Sequence, residues 1–258
     1  MRKQVWLSGV VAVLIAMACL PPVCAAEDGG KAAGVKKVVV VWSEATAPRR
    51  TYPNDINGAI AEGLKESLKD WEVVTAGIRD PEQGLPDELL NRCDVLVWWG
   101  HKKHDAVSDA LVEKIVKRVK EDGMGFLSLH SSHFAKPNKA LMGTACSWGA
   151  YEGDSTVLHV NVKEPGHPIA KGVENFDVAH SERYSEPYAV NEPEAVVFDG
   201  SHDLKAGGTD PSRIGLCWTI GKGRFFYFQA GHETNPIYFD ANVRKIMANA
   251  VEWAAPVR

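Results

Sequence analysis

Five of the nine histidines of this chain fall in three short segments, each placed where an apolar run ends. One segment reads Trp98-Trp99-Gly100-His101, with His104 and Asp105 just beyond. Another reads Leu129-His130-Ser131-Ser132-His133, and the third runs from Gln229 into Gly231-His232-Glu233. A fourth apolar run stops at Trp42-Ser43-Glu44. Neutral imidazoles that converge with a carboxylate hold zinc or another divalent ion, or else work as acid–base pairs near neutral pH. The residue types leave those two uses open. A single histidine beside a helix start more often caps the helix or donates to a carbonyl, so only convergence of the set makes a site. No His-Glu-x-x-His helix performs this locally, and elements far apart in sequence must bring the histidines together.

The elements needed are legible. Lys37 to Trp42 is a β-branched run that reads as a strand buried on both faces, the first of a parallel sheet. A helix from about Ile56 to Lys69 aligns Ile56, Ile60, Leu64 and Leu68 on one face. Trp71 to Ala76, Asp94 to Trp98 and Gly125 to Leu129 read as further strands. A helix of about Ala106 to Glu121 precedes the last of these and ends at Gly123, where a left-handed cap is expected. Such alternation predicts parallel strands with right-handed crossovers, the doubly wound α/β class. In that class the loops at the carboxyl ends of the strands converge, and the histidine segments occupy those loops. After Gly143, short runs at Thr156 to Val162, Ala195 to Phe198, Arg213 to Thr219 and Arg224 to Gln229 predict added antiparallel strands. A helix from Asn242 to Ala254 closes the chain.

Three other features bear on the site. Trp98 and Trp99 are adjacent, so on a strand they face opposite ways; one is core, and the other either packs in the core as well or lines the cleft, where an aromatic face stacks on a sugar ring. Asp177 to Tyr188, with His180, Glu182, Arg183, Tyr184 and Glu186, carries too much mixed charge for a buried strand and reads as a solvated loop or a lid supplying a carboxylate. Gly221-Lys222-Gly223 lacks the strand–loop–helix frame of a phosphate-binding loop and reads as a hairpin turn.

The totals narrow the function classes. Arg2 and Lys3, an uncharged run from Val5 to Leu20 and the small-residue exit Cys24-Ala25-Ala26 have the layout of a cleavable secretory signal over residues 1–26, with 27–36 a polar linker and 37–258 the folded domain. The expected location is the periplasm or the exterior, with no membrane association after cleavage. Formal net charge moves from −4 to −6 when Arg2 and Lys3 leave with that segment. An acidic chain without a basic cluster is a poor nucleic-acid partner. Cys93, Cys146 and Cys217 remain, an odd number widely spaced, and read as buried free thiols.

Taken together, Trp42-x-Glu44, Leu96-Val97-Trp98-Trp99-Gly100-His101 with His104-Asp105, Leu129-His130-Ser131 with His133-Phe134, Leu141-Met142-Gly143-Thr144 with Cys146, Gly166-His167-Pro168-Ile169, and Phe226-Tyr227-Phe228 with Gly231-His232-Glu233 resemble the trehalose-utilization, or ThuA-like, family over about Lys37 to Pro256. The resemblance implies a flavodoxin-like, class I glutamine amidotransferase-like doubly wound parallel sheet with added antiparallel strands. Where such amidotransferases carry a nucleophilic cysteine, this chain has His130, so amidotransferase chemistry is not expected. What the resemblance implies instead is a small-molecule saccharide partner and an isomerase or epimerase acting on keto-glycosides, with no nucleotide cofactor. A divalent metal, zinc or manganese, is the candidate cofactor, held by His101, His130 and His232. The same three histidines are the alternative acid–base groups, with Glu182 and Glu233 as catalytic carboxylates and His104 and His133 as supporting or proton-relay partners. Glu44, Trp99 and Tyr184 are the expected substrate-binding residues. A non-catalytic carbohydrate-binding or scaffold protein is the alternative, homo-oligomerisation is left open, and a glycosidase using paired carboxylates is the weaker third reading.

Overall fold

The computed structural model describes residues 36–257, with 1, 3 and 4, so most of the expected signal and of the linker lies outside the described residues. Among the described residues the strands form one nine-stranded sheet in the order β2-β1-β3-β4-β9-β8-β7-β5-β6. The parallel half contains β1 (Lys37–Ser43), β2 (Trp71–Gly77), β3 (Val95–Trp99), β4 (Gly125–Leu129) and β9 (Gly223–Phe228). Its order is the flavodoxin-like one, which reverses between β1 and β3. The antiparallel half adds β5 (Ala150–Val162), β6 (Phe176–Ser185), β7 (Ala195–Asp203) and β8 (Thr209–Ile220).

Strand alternation sorts the apolar residues into two cores, one on each face. Val39, Val41, Val97, Trp99, Leu127 and Phe226 pack with helices α1 (Asp55–Ser67) and α5 (Ala241–Ala254). Val38, Val40, Trp42, Leu96, Trp98, Phe126 and Tyr227 pack on the other side with α2 (Asp87–Arg92), α3 (Asp109–Asp122) and α4 (Lys136–Met142). Trp42 and Trp98 are register partners on β1 and β3, and their rings stack with centroids 3.7 Å apart. Each such side chain contributes about 1.5–3 kcal/mol on full burial, which holds the strand ends carrying the site in fixed register.

Two expectations need correction. The helix expected from Ala106 begins at Asp109, because the Ser108 side chain accepts from Leu111 N–H as its N-cap, while His104–Ala106 form a separate 3-10 turn. Gly123 closes α3 with φ 81°, as its type predicts. The charged run 177–188, expected as a loop or lid, forms most of β6, at one edge of the sheet. Val178, Ser181 and Tyr184 turn inward, and the charges are neutralised across strands by Asp177 with His159 and by Arg183 with Glu152 and Asp210. An edge strand tolerates charge that a central strand does not.

Candidate active site

The site forms where β1, β3, β4 and β9 end, at the reversal of strand order. Glu44 follows β1 and is buried, and its Oε2 accepts from the backbone N–H groups of His101 (2.9 Å), Lys102 (2.7 Å) and Lys103 (2.9 Å). One carboxylate oxygen thus shapes the whole turn after β3. Gly100 permits the approach, since a Cβ there would lie 3.0 Å from Glu44 Oε1.

His130 is the first residue after β4 and takes a left-handed backbone conformation, φ 50°, which costs energy in a residue with a Cβ. Gly231 faces it with φ 152°; a Cβ there would lie 3.0 Å from His130 Cβ. His130 Nδ1 is 2.8 Å from the Gln229 carbonyl, and Nε2 lies 2.9 Å from Glu182 Oε2 and 2.9 Å from the Tyr184 hydroxyl. A carbonyl only accepts, so Nδ1 carries a proton and Nε2 is the atom turned to the carboxylate.

His101 repeats the arrangement. The Ser131 hydroxyl donates to the Gly100 carbonyl (2.9 Å), which leaves its oxygen to accept from His101 Nδ1 (2.8 Å). His101 Nε2 then faces Glu233 Oε2 at 2.5 Å, while Glu233 Oε1 pairs with Lys102 Nζ. Two imidazole Nε2 atoms thus face two carboxylates, contacts that are favourable only with a proton or a metal ion between the partners. His232 completes the cluster, its ring centroid 5.1 Å from that of His101 and 6.0 Å from that of His130. Its Nδ1 lies 2.7 Å from the Thr234 hydroxyl and 3.3 Å from the Thr234 N–H, which leaves Nε2 facing the cluster, 4.0 Å from Glu182 and 3.7 Å from Glu233.

Burial alone would raise both carboxyls. Hydrogen bonding to His130, that imidazole's charge and the Tyr184 hydroxyl overcome it and hold Glu182 down at about 2. His101 and Lys102 do the same for Glu233, also about 2. Burial, then the Glu182 charge, keeps the Tyr184 hydroxyl protonated well above its usual range, so it donates to Glu182. Burial and the neighbouring His130 pull His232 down, favouring the neutral ring. The donor set is that of a divalent metal site or of a proton-transfer site. Ligand atoms of His101, His130 and Glu182, and separately of His101, His232 and Glu233, lie within 4.8 Å of one another.

The family model for trehalose utilisation, ThuA, matches residues 37–254. The chain belongs to the ThuA family. A ThuA-like protein from Parabacteroides merdae is similar in structure with TM-score 0.64 at 13% identity, covering 85% of this chain and 89% of that one. One from Bacteroides uniformis gives TM-score 0.58 at 17% identity, covering 84% and 91%. A protein from Salmonella typhimurium called cytoplasmic gives TM-score 0.55 at 13% identity, covering 86% and 100%. At such identities these neighbours establish the fold. No curated protein sequence gives a significant match. ThuA membership makes the function carbohydrate-related, and the doubly wound parallel sheet with added antiparallel strands expected from the resemblance is the one observed.

Against that family background, His101, His130, His232, Glu182 and Glu233 come together in one place. The rings of His101, His130 and His232 stand with centroids 5.1, 6.0 and 6.3 Å apart, and the sets whose ligand atoms lie within 4.8 Å of one another each join two of these histidines to one glutamate. Glu44, expected to bind substrate, is instead engaged with the backbone of the turn. Trp99, expected to stack on sugar, is fully buried in the α1–α5 core and has no face to offer. Tyr184 is buried too, but its hydroxyl reaches both His130 and Glu182. His133, expected as a relay, is enclosed; Nδ1 donates to the His130 carbonyl (3.0 Å), which braces the turn without reaching the carboxylates. His104 Nδ1 stands 3.7 Å from Glu44 Oε1, outside the cluster. Lys102 and Ser131 were not singled out from sequence; their only signal is adjacency to His101 and His130. Cys93, Cys146 and Cys217 are buried free thiols, with burial pushing Cys93 up to about 12.

Proposed function

We propose that this ThuA protein is a saccharide isomerase or epimerase acting on keto-glycosides of the trehalose type. The observation that carries the reading is the pair of oriented imidazoles, His130 and His101, each with Nδ1 committed to an acceptor and Nε2 turned to a carboxylate. In the forward step a base removes the proton from the carbon next to the keto group, and the C–H electron pair moves to make an enediolate. The proton then returns to the neighbouring carbon or to the opposite face, so nothing is oxidised or reduced overall. The His130–Glu182 pair is the base: Glu182, its partly exposed member, meets the substrate, and His130, buried behind it, holds and orients that carboxylate. Tyr184 holds Glu182 in place, and His101 with Lys102 places positive charge where the enediolate oxygen develops.

The same donor atoms fit zinc or manganese, with either two-histidine, one-glutamate set as ligands. When bound, the ion polarises the keto oxygen as a Lewis acid. The hydrogen bonds from the imidazole Nδ1 atoms to the Gln229 carbonyl and Ser131 are of the kind that orient metal ligands. The sequence pattern supports an exported protein that meets a small saccharide, without a nucleotide cofactor, nucleic-acid partner or membrane association after cleavage. Among the described residues no helix is long and apolar enough to cross a membrane. The test is conversion of keto-trehalose by His101→Ala and His130→Ala, measured separately. Loss of turnover in both with an unchanged melting profile is expected; unchanged turnover in both removes the proposal.

A further inference from the structure

The residue expected to stack on sugar, Trp99, is buried, yet an aromatic ring does stand exposed beside the cluster. Tyr151, at the start of β5, is 41% exposed. Lone exposed apolar side chains are ordinary on protein surfaces, and this one would pass as such but for how it is held. Its hydroxyl accepts from the Trp148 N–H at 2.8 Å, which pins the phenol end. Its ring packs against His133 at 5.8 Å and 12°, Phe134 at 5.4 Å and Tyr184 at 5.2 Å in an edge-on arrangement. Tyr184 in turn touches His130 Nε2 with its hydroxyl. The exposed ring is therefore locked in place one aromatic residue away from the proton-transfer pair. An aromatic face already held rigid binds the C–H face of a pyranose without paying rotamer entropy.

We propose that Tyr151, backed by Phe134, is the platform for the sugar ring of the substrate that does not undergo chemistry. This rests on the carbohydrate reading above and adds a binding residue that the sequence did not mark. Tyr151 positions the substrate and takes no part in proton transfer. The polar fringe of the platform includes Lys139, whose ammonium lies 5.0 Å over the Phe134 ring. A non-reacting ring on Tyr151 leaves the other ring of a disaccharide beside His130, whereas a monosaccharide engages only one of the two places.

The experiment is calorimetric or saturation-transfer titration of the full chain with trehalose and keto-trehalose against glucose and keto-glucose, in wild type, Tyr151→Ala, Tyr151→Leu and Tyr151→Phe. Loss of stacking is expected to weaken both disaccharides about 10-fold in the Ala and Leu variants. Monosaccharide binding should change less than about 2-fold, and Tyr151→Phe should restore disaccharide binding, since a flat ring suffices. Should Tyr151→Ala fail to fold, Tyr151→Leu carries the same comparison with apolar bulk retained. Unchanged disaccharide binding in the Leu variant, or equal weakening of both sugar sizes, overturns the platform and leaves the carbohydrate reading standing. Absence of binding of every one of these sugars to wild type overturns both.

Discussion

His101 and Glu233 meet at 2.5 Å through Nε2 and Oε2 although they lie on different strand-end loops, and Ser131 on a third loop fixes which nitrogen makes that contact. Removing the Ser131 hydroxyl frees the His101 ring to turn or change tautomer. Ser131→Ala is expected to lower turnover of keto-trehalose about 10- to 100-fold, the range seen when a hydrogen bond that orients a metal or acid–base ligand is lost. Its melting temperature should shift little. Parallel steady-state kinetics and thermal melts check this, and full activity would show that Ser131 does not orient the ring.

Glu44 predicts a stability effect. Three backbone N–H groups converge on its Oε2, so Glu44→Ala strands three donors, at about 1–3 kcal/mol each when buried. Urea denaturation should show a loss of several kcal/mol. Glu44→Gln keeps an acceptor oxygen and should lose much less.

Gly231 is required by His130. A methyl group at 231 would meet His130 Cβ at 3.0 Å and Cγ at 3.1 Å, and φ 152° is unfavourable for any residue with a side chain. Gly231→Ala is expected to cost about 1–3 kcal/mol and to abolish turnover by displacing the imidazole from Glu182. Near-wild-type activity would show that His130 tolerates movement and is not part of the base.

Acid should destabilise the fold from just below neutrality. Burial holds His202 at about 4 and His133 at about 3, against about 6.5 in the unfolded chain. A histidine with a lowered folded pKa contributes stability that is complete above 6.5 and lost as pH falls toward the folded value. The loss is up to about 1.4 kcal/mol per pH unit for each group. His159 works in the opposite sense, raised by Asp177 and Asp203, but it is solvent-exposed and its contribution is screened. Urea midpoints should fall steadily from pH 6.5 to 4.5, with a shallower slope in His202→Leu. A flat profile in wild type contradicts the buried-neutral state of these rings.

The parallel half was legible because its signals are local. Continuous Val, Leu and aromatic runs flanked by capping residues encode buried strands, and the parallel topology then places Glu44, His101, His130 and His232 at one end of the sheet. Edge strand β6 was not legible, because mixed charge at 177–186 mimics a loop until cross-strand partners such as His159 and Asp210 are known. Trp99 misled for a related reason: alternation says that Trp98 and Trp99 face opposite ways, yet both faces of this sheet are covered. Glu182 was found as a carboxylate on a supposed lid; the edge strand delivers it to His130 at 2.9 Å. The roles of Ser131 and Lys102 depend on hydrogen-bond direction and pair geometry, which spacing along the chain does not carry.

The most direct test of the central claim, that the oriented His130–Glu182 and His101–Glu233 pairs move a proton next to a sugar keto group, is incubation of keto-trehalose with the protein in deuterium oxide, followed by proton NMR. Deuterium should enter at the carbon beside the keto group with wild type, and the rate should fall about 100-fold or more in His130→Gln, the scale of a lost general base. Exchange no faster than with no protein, or exchange equal in wild type and His130→Gln, contradicts the account.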